Sequence, residues 1–108
     1  MSRLRLKETK KVYVLESNYS KVWVEFYDDD PETCYITHLF VHSESRNKGY
    51  GRKTMTNAEA IARELGATKL MLMVSTDGWL RAWYEDMGYK LHSYEDEDEE
   101  DVWMIKEL

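Results

Sequence analysis

The sequence predicts an α/β fold: a mixed, mostly antiparallel sheet with a central parallel strand pair and two main helices. The first third of the 108-residue chain shows strand patterns and no convincing helix. Two later segments carry apolar residues at helical spacing, and a strand-like segment follows each of them. Because a crossover helix joins parallel neighbours, the strands flanking the first helix should be adjacent and parallel.

Strands and turns alternate in the first third of the chain. In the clearest strand, Val22, Val24 and Phe26 alternate with charged or aromatic residues. Asn18–Ser20 and the breaker-rich segment Asp28–Glu32 are predicted to be turns. The predicted strands are a short edge strand at Arg3–Lys7, followed by Lys11–Glu16, Lys21–Tyr27 and Thr33–His42.

The first helix is predicted to follow a glycine turn. Its apolar stripe recurs at spacings of three or four and consists of Met55, Ala58, Ala62 and Leu65. Gly66, directly after the stripe, predicts the end of the helix. The next segment, Lys69–Val74, has the length and apolar composition of a buried strand.

A second helix is predicted after Asp77, whose side chain suits the N-cap position. Four apolar or aromatic residues would share one face of this helix: Leu80, Trp83, Tyr84 and Met87. Gly88 should end this helix, and Trp79 and Trp83 are expected in the core or as walls of a binding site. Tyr89–Tyr94 and Val102–Lys106 are predicted to be the last two strands, and the acidic run between them a hairpin loop.

Length and composition restrict the class of protein. One domain, residues 1–108, is expected from the length. The lone Cys34 excludes an internal disulfide and a cysteine-cluster zinc site, so we expect a buried strand cysteine and no metal site. No apolar run approaches the ~20 residues that cross a bilayer, and the basic N-terminus lacks a signal-peptide core. We therefore expect a cytoplasmic protein without a membrane partner, either a monomer or a homodimer.

The acidity of the chain is concentrated in one segment. The formal charge is −6, and Glu95–Asp101 holds seven consecutive acids, so the remainder carries −6 + 7 = +1. A near-neutral body argues against direct nucleic-acid binding, which needs a basic face. A solubility segment or an electrostatic lure for a cationic partner would both explain the acidic run.

The glycine turn before the first helix suits an anion. Gly49 and Gly51 permit positive φ or close approach to the backbone. The first N–H groups of the helix have no internal partner and carry partial positive charge. Cationic side chains at this end oppose the helix dipole unless a phosphate is bound there, and they are Arg46, Lys48, Arg52 and Lys53.

From Ile36 onward the chain resembles the GNAT superfamily of acetyl-CoA-dependent N-acetyltransferases. The family loop Arg/Gln-x-x-Gly-x-Gly/Ala stands here as Arg46-Asn47-Lys48-Gly49-Tyr50-Gly51, shortly after the strand end Leu39-Phe40-Val41. A second signature, Tyr-x-x-x-Gly-Phe/Tyr, stands here as Tyr84-Glu85-Asp86-Met87-Gly88-Tyr89. The resemblance implies a GNAT-like α/β sheet, acetyl-CoA as cosubstrate and a primary amine as acceptor.

The resemblance also implies roles for particular residues. The Arg46 loop and the N–H groups from Asn47 to Arg52 would hold the pyrophosphate of acetyl-CoA. The backbone of Leu39–Val41 would pair with the pantetheine arm, and one strand N–H would polarise the thioester carbonyl. Tyr84 would protonate the departing thiolate, and Asp77 occupies the position of a cofactor-binding Asn.

Two departures from the family pattern affect the acceptor side. Leu72 stands where many members carry a catalytic Glu. Other members use a residue early in the central strand, where this chain offers Tyr35, Thr37 or His38; His38 has the most suitable chemistry for a base. The helix pair that usually follows the first strand is not apparent, which would leave the acceptor site open.

Two functions of different class follow. The first is an N-acetyltransferase acting on a cationic amine, either a lysine-rich protein segment or a polyamine. The second is a catalytically inactive GNAT-like module that binds CoA or a protein partner.

Overall fold

The computed structural model describes residues 10–42, 49–76, 78–94 and 100–108. Eight elements lie in these ranges. In chain order they are β1 (Lys10–Glu16), β2 (Ser20–Tyr27), β3 (Asp30–Val41), α1 (Tyr50–Glu64), β4 (Lys69–Ser75), α2 (Trp79–Asp86), β5 (Lys90–Tyr94) and β6 (Asp101–Glu107).

The six strands form one sheet in the order β1-β2-β3-β4-β6-β5. β3 and β4, the strands that flank α1, are parallel neighbours, and the other recorded strand pairs are antiparallel. The predicted mixed sheet with a central parallel pair and two helices is therefore confirmed. The predicted edge strand at residues 3–7 lies outside the described residues.

The turn between β2 and β3 is shorter than the sequence predicts. Only Asp28 and Asp29 lie in it, because Tyr27 already pairs with Asp30. A two-residue loop is sufficient to join antiparallel neighbours. Pro31 therefore lies in β3, at the start of a strand, where its missing N–H is tolerated.

Both helices pack on the same face of the sheet, which we call the helix-covered face. Its core includes Val24, Ile36, Leu72 and Met104, together with the fully buried Met55 of α1. Alternate residues of the same strands point to the other side, which we call the helix-free face because none of the described helices covers it. Its large side chains include Trp23, Tyr35, Met71 and Trp103.

Helix ends explain where the core prediction was right and wrong. Gly66 ends α1 and Gly88 follows α2, each with a φ of +99°, as the sequence predicted. Leu65 was wrongly placed in the core: it is the C-cap of α1 and 43% exposed. Trp79 is not a core residue either, since it begins α2 and is 73% exposed.

The start of α2 and the acidic segment are only partly described. Gly78 is the N-cap of α2, and the predicted cap Asp77 lies outside the described residues. β5 and β6 are antiparallel neighbours, as a hairpin prediction requires. The acidic run joins them: residues 95–99 lie outside the described residues, Glu100 precedes β6, and Asp101 already belongs to β6.

A buried polar cluster ties α1 to the far end of the sheet. Glu59 is 6% exposed, and its carboxylate accepts bonds from the Lys106 ammonium at 3.1 Å and from the Tyr89 hydroxyl at 2.8 Å. Burial, and then this bond to Glu59, raise the pKa of Tyr89, so its phenol remains a donor. The described helices include none with the length and hydropathy that a membrane crossing requires.

Candidate active site

β3 and β4 separate part-way along their length. Their recorded pairing ends where Ile36 lies opposite Leu72, although β3 continues to Val41 and β4 to Ser75. At the same level the register between β2 and β3 shifts, because Trp23 pairs with His38 but Val24 pairs with Ile36. Thr37 is therefore the extra residue of a β-bulge, a feature that bends a strand and breaks its ladder.

We call the opening between residues 37–41 of β3 and 73–75 of β4 the fork. Where two strands separate, the backbone N–H and C=O groups on the facing edges no longer pair with each other. Such groups can bind the amides of an extended ligand. The backbone of His38 and Leu39 lies where the strands begin to part.

The N-terminus of α1 lacks any side-chain cap. Gly49 occupies the N-cap with a φ of +83°, and the first turn holds no acidic residue. The Lys53 N–H makes the first helical bond, to the Gly49 carbonyl at 3.1 Å. The N–H groups of residues 50–52 therefore have no partner within the helix. Of the two uses of glycine that the sequence permitted, Gly49 has the positive φ, and the helix end is electropositive.

Gly51 marks a close approach of three elements. A Cβ at this position would lie 3.1 Å from the Trp83 ring of α2 and 3.6 Å from Val41 at the end of β3. The end of β3, the start of α1 and the face of α2 thus converge beside the fork. Any larger residue would push Trp83 away from the position that it occupies.

The first turn of α1 is fastened to the β1–β2 hairpin. Tyr50 stacks on Tyr19 with ring centroids 4.1 Å apart and planes 4° apart. The Thr54 hydroxyl donates to the Tyr50 carbonyl at 2.7 Å and accepts a bond from the Ser20 hydroxyl. The His42 N–H donates to the Tyr19 carbonyl at 2.9 Å. These contacts hold the helix end in one position relative to the end of β3.

Tyr84 lies on the helix-covered face, where α2 meets the core. It is 5% exposed, and its ring makes edge contacts with Trp83 at 5.0 Å and Tyr89 at 5.6 Å. Burial raises the pKa of Tyr84 to about 12. At neutral pH the phenol therefore carries its proton and can donate it.

His38 lies on the helix-free face, so the sheet separates it from Tyr84. Its imidazole is exposed and stacks on Trp23 with ring centroids 4.7 Å apart. The His38 imidazole is therefore accessible from the helix-free face.

The remaining predicted site residues fall into three groups. Leu39 and Val41 are partly buried at the end of β3, and Phe40 between them is 48% exposed. Arg52 and Lys53 are exposed in the first turn of α1, where Arg52 lies 3.9 Å from Asp86 of α2. Those outside the described residues are Arg46, Asn47, Lys48 and Asp77.

The sequence reasoning missed Glu25. This acid lies on the helix-free face of β2 and is only 6% exposed. Its carboxylate accepts bonds from the Thr37 hydroxyl at 3.0 Å and the Tyr27 hydroxyl at 3.1 Å. The available signal was the alternation Trp23-x-Glu25-x-Tyr27, which places an acid among aromatics on one strand face.

Leu72 lies in β4, at the position where many family members carry a catalytic Glu. It is 2% exposed and packs in the core of the helix-covered face. A separate surface cavity of about 590 Å³ lies between the β1–β2 hairpin and α1. Tyr19, Tyr50 and Asn57 line it, on the side of α1 that faces the hairpin rather than the fork.

The family model described as the acetyltransferase (GNAT) family matches residues 18–89, which include the fork, α1 and α2. The match covers more than half of the chain, and the chain belongs to this family. A comparison with curated protein sequences gave no significant match.

Solved structures share the fold. An acetyltransferase from Bacillus cereus is 21% identical with a TM-score of 0.71, over 94% of this chain and 75% of that one. A Bacillus subtilis acetyltransferase in complex with CoA is 17% identical with a TM-score of 0.74, over 92% and 77%. An Elizabethkingia anophelis GNAT acetyltransferase with acetyl-CoA bound is 16% identical with a TM-score of 0.73, over 92% and 76%.

The chain is shorter than the proteins that it resembles. It covers 63% of the length of the Ard1 structure from Thermoplasma volcanium and 82% of a putative acetyltransferase from Agrobacterium tumefaciens. At these identities the likeness concerns the fold, and the family membership comes from the family model.

Proposed function

We propose that this chain is an N-acetyltransferase that moves the acetyl group of acetyl-CoA to a primary amine. The observation that carries the proposal is the fork opening beside an uncapped helix N-terminus, in a chain with both GNAT signatures. The GNAT structures with bound CoA or acetyl-CoA support acetyl-CoA as the cosubstrate.

The described residues fit acetyl-CoA at both ends of the site. The N–H groups of residues 50–52, with Arg52 and Lys53 beside them, offer donors and positive charge for a pyrophosphate. The separated edge of β3 at His38 and Leu39 offers backbone partners for the amides of a pantetheine arm. No described acid lies in the first turn of α1, where it would repel the phosphates.

Acetyl-CoA supplies a thioester, whose carbonyl carbon is open to attack by a neutral amine. A strand N–H at the fork polarises the carbonyl oxygen, as an oxyanion-type donor does. Tyr84 holds a proton that it can donate to the departing thiolate. Its pKa of about 12 keeps the phenol protonated at neutral pH, so Tyr84 is available as the donor to the sulfur when the C–S bond breaks.

The acceptor is a cationic amine, either a lysine-rich protein segment or a polyamine. The seven acids of Glu95–Asp101 and the acidic turn after Tyr27 would raise the local concentration of a cation. An acceptor on a macromolecule also suits the helix-free face, which no described helix closes over. Steering of this kind weakens with salt, because the Debye length is ~8 Å at physiological ionic strength.

The proposal is tested by incubating the purified protein with acetyl-CoA and a panel of lysine peptides, polyamines and arylamines. Mass spectrometry should detect a gain of one acetyl group on at least one primary amine, together with an equal amount of free CoA. A parallel calorimetric titration should show acetyl-CoA binding. Tight binding without any acetylated product would favour the inactive module, a function to which the missing acid at Leu72 also points.

A further inference from the structure

The described sheet has two edge strands, β1 and β5, and they differ in how well they are protected. β5 is five residues long, and its ladder with β6 shifts register between Leu91 and Ser93. Short length and bulges are usual means by which proteins keep an edge strand from pairing with another chain. β1 pairs with β2 through seven consecutive residues without a recorded shift. β1 is therefore the longer and more regular edge.

The middle of β1 carries no charge and no proline that would hinder pairing. Its charged residues stand at the ends, Lys10 and Lys11 at the start and Glu16 at the finish. Val12 and Val14 lie between them on the helix-free face and are 41% and 48% exposed. Exposed β-branched residues on a regular edge favour the addition of another strand.

The hydrogen bonds of the β1–β2 hairpin determine which backbone groups face outward. The Ser17 N–H donates to the Ser20 carbonyl at 2.9 Å, and this pair continues the β1–β2 register. In an antiparallel ladder every second residue bonds to the neighbouring strand, so Leu15, Tyr13 and Lys11 bond to β2. The alternate residues, whose N–H and C=O groups point away from β2, are Lys10, Val12, Val14 and Glu16.

The sequence of β1 is complementary to itself in one antiparallel register. When two copies pair about a two-fold axis at Tyr13, Lys10 of each copy lies opposite Glu16 of the other. Val12 and Val14 of the two copies likewise lie opposite each other. All four belong to the outward-pointing set, so this register satisfies both the free backbone groups and the charges. Registers centred at Val12 or Val14 pair fewer of these residues and lose the match of opposite charges.

The distribution of charge also favours a contact between two copies at β1 rather than at β5. The acidic run Glu95–Asp101 joins β5 to β6, on the opposite side of the sheet from β1. Two copies joined at β5 would bring their acidic runs together, and like charges repel. Two copies joined at β1 keep the acidic runs apart and bring basic and acidic strand ends together.

We propose that two copies of this chain pair through β1 and form a symmetric dimer, in which the two six-stranded sheets become one continuous sheet. The dimer axis passes Tyr13, and Lys10 pairs with Glu16 at each end of the new ladder. The valines of both copies form one cluster on the helix-free face. This proposal does not depend on the proposed function, because β1 is part of neither the fork nor the N-terminus of α1.

Sedimentation of the full chain at increasing concentration tests the proposal. We expect the mass to rise from the 12.9 kDa of the monomer toward twice that value. Lys10→Glu and Glu16→Lys should each raise the dissociation constant of the dimer by about tenfold or more, because each places like charges opposite each other. The double variant should restore the dimer, since it reverses both members of the pair.

Two controls accompany the charge variants. Lys90→Glu makes the same change of charge on β5 and should leave the mass distribution as in the wild type. Glu16→Lys also faces Lys21 within the chain, so circular dichroism should first show that this variant is folded.

A cysteine at the axis tests the register independently of the charges. In Tyr13→Cys the two introduced thiols would lie opposite each other with Cα atoms about 4.5 Å apart, within reach of a disulfide. Lys11→Cys changes the same face two residues away, where the two thiols would lie too far apart. The natural Cys34 is buried. Mild oxidation should therefore cross-link Tyr13→Cys into a dimer on a non-reducing gel and leave Lys11→Cys as a monomer.

Three results would overturn the proposal. A monomer at every concentration would mean that a second copy does not occupy this edge, and would leave it to residues 1–9 of the same chain or to a different protein. A dimer that persists equally in both single charge variants would pair through another surface. Equal cross-linking of Lys11→Cys and Tyr13→Cys would contradict the register centred at Tyr13.

Discussion

At the scale of single residues, two buried titratable side chains, Tyr84 and Glu25, differ in what surrounds them. Tyr84 is packed among rings on the helix-covered face, and burial keeps its phenol protonated. Glu25 is buried on the helix-free face, where its carboxylate accepts bonds from the Tyr27 and Thr37 hydroxyls.

Replacement of Tyr84 by Phe removes the hydroxyl and leaves the ring contacts with Trp83 and Tyr89. We expect kcat to fall by about 10²- to 10⁴-fold, the usual effect of losing a general acid. The affinity for acetyl-CoA should change little, because the proposed pyrophosphate contacts lie at α1. Steady-state kinetics together with calorimetry would measure both quantities. If turnover holds within about twofold, Tyr84 contributes packing alone.

At the scale of elements, the N-terminus of α1 depends on one unusual backbone conformation. Gly49 has a φ of +83°, and no described atom lies within 4 Å of where a Cβ would stand, so conformation rather than space requires glycine here. Gly66 at the other end of the same helix has the same two properties, with a φ of +99°. Substitutions at Gly49 and Gly66 can therefore be compared to distinguish the cost of backbone strain from an effect on acetyl-CoA binding.

Gly49→Ala and Gly66→Ala should each lower the free energy of unfolding by about 1–2 kcal/mol, the cost of a side chain in the left-handed region. Only Gly49→Ala should also weaken acetyl-CoA binding, by tenfold or more, because it shifts the N–H groups of residues 50–52. Urea unfolding and calorimetry give the two numbers. If both variants bind acetyl-CoA with equal affinity, the N-terminus of α1 is not part of the acetyl-CoA site.

At the scale of the whole molecule, the core buries a thiol and two phenols, which lose their protons only at high pH. Burial raises the pKa of Cys34 from 9.0 to about 12 and that of Tyr84 from 10.0 to about 12. Because the folded pKa values exceed the unfolded ones, their stabilising contribution is complete below about pH 9 and is lost as the pH rises toward 12. The buried Tyr89 adds to the same trend.

The free energy of unfolding should therefore fall between pH 8 and pH 11 by several kcal/mol, at about 1.4 kcal/mol per pH unit for each group above its unfolded pKa. Urea titrations at the two pH values would measure the decrease. Tyr84→Phe should reduce the dependence, since it removes one of the titrating groups. An unfolding free energy that stays constant up to pH 11 would contradict the burial of these groups.

Features of the fold that depend on short segments could be predicted from the sequence, and features that depend on contacts between distant segments could not. The parallel pair around α1 and the glycine that begins this helix were predictable, because strand patterns, helical spacing and turn residues lie within short segments. The exposure of Leu65 was not, because it depends on α1 ending at Glu64. Glu25 was missed because its bond to Thr37 joins two strands and exists only with the bulge.

The central claim is that the fork and the N-terminus of α1 together hold acetyl-CoA. Amide hydrogen exchange, measured residue by residue with NMR in the presence and absence of acetyl-CoA, tests this claim most directly. We expect added protection at the N–H groups of His38, Leu39 and residues 50–52. Protection confined to the cavity between the β1–β2 hairpin and α1, at Leu15 and Asn57, would contradict the account, as would no protection at any site.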